Sequence, residues 1–322
     1  MELISLSDID DAAVRIRHRA QRTPLLWYPW APPESPLWLK PESLQPVGAF
    51  KIRGAANALA LLDENSRSLG VVTHSSGNHG QALAYAARAE GVRCVVVVPE
   101  GAPRVKTDAM RAFGAELVTV PPEQRLPTAE KHTTEQGLTL IPPFDHPHVI
   151  AGQGTVGAEI LQDLSDVDTV LVPVGGGGLA SGVATAVKEQ HPGTTVLGVE
   201  PELASDAAES LAADQLVSWP PELTGRTVAD GVRVTLSELT FRHLRIRLDG
   251  IVTVTEDEIR SAVGTLARSA RLVAEPSGAV AMAAFLSGKS PAGRTVAVVS
   301  GGNVDPELLA ETLTTGGSEH QE

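Results

Sequence analysis

Three short turns carry most of the residues that can do chemistry in this 322-residue sequence. Gly175-Gly176-Gly177-Gly178 follows the apolar run Thr169 to Val174 and precedes a helical stretch, Leu179 to Gln190. Successive glycines can turn their backbone N–H groups onto one anion at a helix N-terminus with no side chain in the way, the arrangement of a phosphate cup. A packing turn without ligand stays open, and so does a dinucleotide site: Ala180 stands at the fingerprint's third glycine, and Glu200 lies near the spacing of its ribose-binding acid. A Walker A loop is excluded, because no Gly-Lys-Ser/Thr follows the glycines. Ser75-Ser76-Gly77-Asn78-His79-Gly80 is a second turn of this type, richer in hydroxyl and amide groups than capping one helix requires. Ser300-Gly301-Gly302-Asn303 is a third. In an open α/β sheet, turns at the carboxyl ends of strands gather around one crevice, so three such turns predict a shared ligand.

The elements that must position these turns alternate in the manner of a mostly parallel sheet covered by helices. Strands are predicted over Leu69 to Thr73, Val92 to Pro99 and Glu116 to Val120, with helices over Gly80 to Glu90 and Pro103 to Phe113, a compact βαβαβ unit. A second series runs through Thr169 to Val174, the glycine turn and its helix, and Thr195 to Glu200. Thr255-Glu256-Asp257-Glu258 is a capping box that opens a helix to about Ala270, and Thr295 to Val299 is a closing strand. The core-like pattern ends by about Leu313, so no regulatory domain is expected after it, and the polar tail after Thr314 is expected to fray.

Composition bounds the function classes. A 42% hydrophobic chain of this length can bury a large core as two lobes around a cleft. Its apolar runs are far shorter than the ~20 residues a bilayer requires. Glu2, Asp8, Asp10 and Asp11 do not fit a signal peptide. With 26 Lys+Arg against 39 Asp+Glu, the net charge of −13 repels nucleic acid and anionic lipid. Cys94, the one cysteine, lies in an apolar run and reads as an inert thiol in a reducing, cytoplasmic setting.

Phe50-Lys51-Ile52-Arg53-Gly54-Ala55, taken with the three turns, resembles the fold-type II pyridoxal 5′-phosphate (PLP) enzymes, specifically the serine racemase and serine/threonine dehydratase family. Gly48 to Ala56, Val72 to Ala87, Val149 to Gly157, Val172 to Gly178, Ala229 to Val232, Thr253 to Ile259 and Val299 to Asp305 look like family segments in family order. The resemblance implies a tryptophan synthase β-like α/β fold of two lobes, each with a mostly parallel sheet covered by helices. It implies a large lobe over residues 1–69 and 149–322 and a small mobile lobe over 70–148. Lys51 is expected to hold PLP as a Schiff base and to act as the base on one face. Phe50 is expected against the cofactor ring, Asn78 at its 3′-oxygen, Gly175, Gly176, Gly177 and Gly178 around its phosphate, and Ser300 at its pyridine nitrogen. A neutral hydroxyl there leaves that nitrogen largely unprotonated. Ser75, Ser76, Asn78 and His79 are expected at the substrate. Ser76 resembles the serine that racemases place opposite the lysine, where plain threonine dehydratases commonly carry alanine; two bases on opposite faces permit racemisation.

Glu200-Pro201-Glu202-Leu203-Ala204-Ser205-Asp206 resembles the family's divalent-cation loop, with Glu200, Asp206 and the Ala204 carbonyl as ligands. Oxygen ligands alone point to Mg²⁺ or Ca²⁺. Departures are Ala49 in place of the serine before Phe-Lys, Pro46 where ATP-regulated racemases have lysine, and Val234 where a serine is expected. The implied reaction is α,β-elimination from L-serine or L-threonine to a 2-oxo acid and ammonia, with serine racemisation beside it. Dehydration of threo-3-hydroxyaspartate or an aryl-serine is the alternative, and β-replacement a more distant one. The partners implied are a small amino-acid substrate and a second copy of the chain as a homodimer.

Overall fold

A computed structural model describes residues 3–102 and 104–315. The predicted tail lies, from residue 316 on, outside the described residues, as does Pro103. Two sheets organise the chain. The larger has six strands in the order Leu26–Tyr28, Leu37–Pro41, Thr295–Val299, Thr169–Pro173, Thr195–Pro201 and Gly250–Val254. All its neighbours are parallel except the first pair, which is antiparallel. The smaller is parallel throughout, in the order Glu116–Val120, Cys94–Pro99, Val71–His74 and Thr139–Leu140. Thr295–Val299 and Thr169–Pro173 are buried along their whole length, as a sheet covered on both faces by helices requires.

Element bounds shift from the sequence reading for local reasons. Leu69 closes a helix, Glu64–Leu69, instead of opening a strand: Gly70, at φ +105°, ends that helix, and the strand starts at Val71. Gly91 takes a left-handed conformation that caps Asn78–Glu90, and Val92 bonds back to Ala87, so the next strand begins only at Cys94. The capping box at Thr255 forms as expected, but its helix, Glu256–Thr265, widens into a π-helical turn over Leu266–Ala270.

Strand ends place the turns. His74 ends a strand of the small sheet and leads into Ser75 to Gly77, while Pro173 and Val299 end neighbouring strands of the large sheet and lead into the glycine turn and Ser300. Three helices stack beside them: Lys51–Ala60 on Pro147–Asp163, and Pro147–Asp163 on Gly178–Gln190. Glycines make that stack close. A Cβ at Gly152 would sit 2.5 Å from the Arg53 carbonyl oxygen, and one at Gly182 would sit 2.5 Å from the Gly154 nitrogen.

Candidate active site

A cavity of about 260 Å³ lies between the two sheets, and all three turns open onto it. Its walls include Phe50, Lys51, Ser75 to His79, Gly175 to Gly178 and Ser300, so every residue expected at cofactor or substrate reaches one space. Lys51 Nζ donates to the Pro143 carbonyl at 2.8 Å and lies 5.0 Å from the centroid of the Phe50 ring. Burial pushes its amine down to about 8, because no carboxylate compensates the lost water.

The glycine turn enters the helix Gly178–Gln190 without a side-chain cap, and Gly177, at φ +82°, adopts a conformation that side chains resist. A Cβ at Gly176 would meet the Phe144 ring at 2.5 Å, and one at Gly178 would meet Phe144 Cβ at 2.9 Å. The backbone N–H groups of this turn are free to hold a phosphate at the positive end of the helix. The helix Asn78–Glu90 likewise starts without a side-chain cap; Ser75 Oγ accepts only from the Gly77 N–H, at 3.2 Å. Its first amides offer a second anion site, suited to a carboxylate.

Asn78 is fixed at both ends of its amide. Nδ2 donates to Glu275 Oε1 at 2.5 Å, and Oδ1 accepts from Asn303 Nδ2 at 2.8 Å, which leaves one Nδ2–H for a ligand. His79 is buried, with Nε2 bonded to the Ile141 carbonyl at 3.0 Å and Nδ1 without a partner. Burial, with Lys51 and His74 adding to it, pushes its pKa down to about 3. It is therefore a neutral ring, and with Nε2 spent on that carbonyl it has only its backbone N–H to offer an anion at the helix start. Ser300 is buried, and its hydroxyl makes a long 3.4 Å bond to the Ser277 carbonyl that a better acceptor or donor can replace.

The sequence reading missed Glu275, Lys106 and Phe144, which also line the cavity. Burial pushes Glu275 up to about 7; Lys106 opposes this, Asp230 reinforces it, and the bond from Asn78 opposes it. Lys106, on the helix Arg104–Ala112, reaches across the cavity to Asp230 at 2.7 Å. A signal for Glu275 was present: it is the single acid in the apolar stretch Leu272 to Phe285, directly before a proline that opens a helix. Phe144 had none, since nothing local tells which side chain covers a glycine turn more than thirty residues later.

Glu200 and Asp206 come together away from the cavity. Glu200 accepts from the Ala207 and Ala208 N–H groups at 3.2 and 2.8 Å, while Asp206 Oδ2 is buried with no partner. Burial raises both carboxyls, Glu200 well above its usual range and Asp206 to a lesser degree, and Asp206 adds to the rise at Glu200. Ala204, fully buried, ends the 3₁₀ turn between them. Among the described residues no group of three ligating side chains occurs, so a cation here depends on backbone oxygen and water.

A family model described as pyridoxal-phosphate dependent enzyme matches residues 16–301. The chain belongs to the pyridoxal-phosphate-dependent enzymes. It is 39% identical over 321 residues to serine racemase of Dictyostelium discoideum, covering 97% of this chain and 99% of that one. It is also 39% identical to the L-threo-3-hydroxyaspartate ammonia-lyase of Saccharomyces cerevisiae, over 96% of each. Among solved structures it resembles maize serine racemase, with a TM-score of 0.92 and 35% identity over 98% of each chain. The Lys51 cavity is thus the candidate site of a PLP-dependent enzyme with a fold-type II architecture. No helix among the described residues is long and apolar enough to cross a membrane.

Proposed function

We propose that this PLP enzyme removes the α-proton of L-serine or L-threonine, eliminates water to yield a 2-oxo acid and ammonia, and racemises serine as a companion activity. One observation carries this reading: a desolvated lysine amine, a capless helix start fit for a carboxylate and a glycine turn fit for a phosphate line the same small cavity. PLP, when bound, withdraws electron density from the substrate Cα so that its proton becomes acidic. Lys51 attaches the cofactor and moves that proton. With a pKa near 8, about half of the amine is neutral at pH 8, against ~0.3% for an ordinary lysine. Gly175 to Gly178 hold the phosphate, Phe50 backs the ring, the remaining Asn78 N–H meets the 3′-oxygen, and Ser300 faces the pyridine nitrogen. Ser75 and the backbone N–H groups of Asn78 and His79 hold the substrate carboxylate. Ser76 supplies the second base for racemisation.

Glu200, Asp206 and the Ala204 carbonyl are proposed to hold Mg²⁺ or Ca²⁺ in a structural role. The orphaned Asp206 oxygen and two neighbouring buried carboxylates support it, because a hard cation removes their mutual penalty. The division into a lobe of residues 1–69 and 149–322 and a mobile lobe of 70–148 is proposed on the separate small sheet, whose strands all fall between Val71 and Leu140. A homodimer and a cytoplasmic site are proposed with it; exposed Trp27 on the sheet's edge strand and exposed Trp30 in the turn just after it support the first, and buried Cys94, its thiol pushed up to about 12 by burial, supports the second.

Arg125 favours a second reading, dehydration of a 3-hydroxy dicarboxylic amino acid. Arg125 lines the cavity, its Nε donates to the Pro122 carbonyl at 2.9 Å, and among the described residues it pairs with no carboxylate. Turnover of L-serine, D-serine, L-threonine and threo-3-hydroxyaspartate, with chiral analysis of remaining substrate, decides between the two. Borohydride reduction of the holoenzyme should fix the cofactor to the peptide containing Lys51; label on another lysine overturns the assignment.

A further inference from the structure

Lys51 stands at the first position of the helix Lys51–Ala60, and that helix starts without help from its own sequence. Phe50 makes no side-chain cap bond, and the first turn contains no acid. What anchors it lies two residues on. Arg53 is 1% exposed, and its three side-chain nitrogens are all engaged. Nε and Nη2 fork onto Glu42 at 2.7 and 2.8 Å. Nη1 and Nη2 fork onto Glu159 at 2.7 and 2.8 Å. Thr155 Oγ1 accepts at 3.0 Å and the Gln21 carbonyl at 3.1 Å. Lys40, fully buried, completes the cluster with bonds of 2.6 Å to Glu159 and 2.6 Å to the Thr23 carbonyl. Two cations thus meet two carboxylates. Burial opposes the charge on Arg53, but Glu42 and Glu159 outweigh it.

Apolar side chains of similar volume often hold a fold as well as a buried ion cluster does, so what the charges add is direction. The direction is informative here. Thr155 and Glu159 sit on Pro147–Asp163, the middle helix of the stack that ends on the glycine-turn helix. Gly54 N–H donates to Gln153 Oε1 at 3.2 Å on the same middle helix, and the backbones are in contact at Gly152 and at Gly182. A slide or rotation of Lys51–Ala60 would break both forks at once. We propose that Arg53 is a positioning residue for the reaction: through Thr155 and Glu159 it fixes the Lys51 helix on Pro147–Asp163, and so fixes the span between the Lys51 amine and the phosphate turn. This builds on the assignment of Lys51 as the cofactor lysine.

Arg53→Lys tests it, because an ammonium retains the charge but cannot form two forks. The holoenzyme is assayed well below its melting midpoint. The expected result is a fall in kcat of about tenfold or more, with KM within about twofold, since misplacement of a reacting group acts on the chemical step. The visible circular dichroism of the bound cofactor should weaken in parallel, because it reports a fixed orientation. Thr155→Val deletes the bond from Arg53 and the hydroxyl's own 2.7 Å bond to the Gly152 carbonyl but almost no volume, and should lower kcat about two- to threefold with the same spectral change. A lowered Tm with kcat and the cofactor dichroism unchanged, in whichever variant is folded, overturns the proposal in favour of a purely structural cluster. Borohydride mapping of the wild-type protein separates this from an error in the Lys51 assignment, which it alone detects.

Discussion

Replacing Glu275 by glutamine should change the pH dependence of apoprotein stability in a direction opposite to that of an ordinary salt-bridged acid. The wild-type carboxyl is buried beside Asp230, with Lys106 and the Asn78 amide as its favourable neighbours, and its folded pKa is about 7 against 4.5 when exposed. A raised folded pKa means that the folded state binds the proton more tightly. The stability contribution is therefore complete below pH 4.5 and is lost as pH rises through 7. The distance between the two values corresponds to about 3 kcal/mol at pH 8 and above. Glu275→Gln cannot ionise, and its Oε1 can still accept from Asn78 Nδ2, so it escapes that loss. At ~2 °C per kcal/mol for a chain of this size, the variant should melt about 6 °C above wild type at pH 8.5, with the gap closing towards pH 4.5. Thermal unfolding of cofactor-free protein across pH 4.5 to 8.5, monitored by circular dichroism, measures it. A gap that does not vary with pH refutes the reasoning, and so does a wild type that is the more stable protein at pH 8.5.

Ser76→Ala should abolish serine racemisation while L-serine elimination persists and D-serine elimination falls most; equal loss of all three, followed by chiral chromatography and 2-oxo acid release, would reveal a merely structural role in the turn. Chelation should lower thermal stability and activity together, with Mg²⁺ or Ca²⁺ restoring both, and Asp206→Ala should blunt that response; no change after verified metal removal ends the cation proposal. Gly176→Ala places a methyl group 2.5 Å from the Phe144 ring, an overpacking cost of about 1–3 kcal/mol, and should weaken PLP affinity measured by fluorescence quenching. Unaltered affinity would show that Phe144 moves aside freely.

Much of this site was legible along the chain because its turns are local objects. Glycines that accept positive φ, hydroxyls at a helix start and a strand of β-branched residues before each turn follow from steric rules acting over a few residues. The parallel sheets follow from the same alternation. Sequence by itself therefore determined that Ser75 to His79, Gly175 to Gly178 and Ser300 are candidates for one ligand, and Lys51 joins them only through the family resemblance of Phe50 to Ala55, since a lone lysine on a helix reads as a surface residue. Only the tertiary structure decided what tunes them. Asn78 finds Glu275 across 197 positions of chain, and Lys51 finds the Pro143 carbonyl across 92. Arg53, which reads as one more polar residue on a helix, becomes a fully enclosed cation through partners at Gln21, Glu42, Thr155 and Glu159. Pairings of this kind arise from burial, where a charge removed from water must be met by whichever group the packing brings beside it. Local sequence rules say nothing about which group that will be.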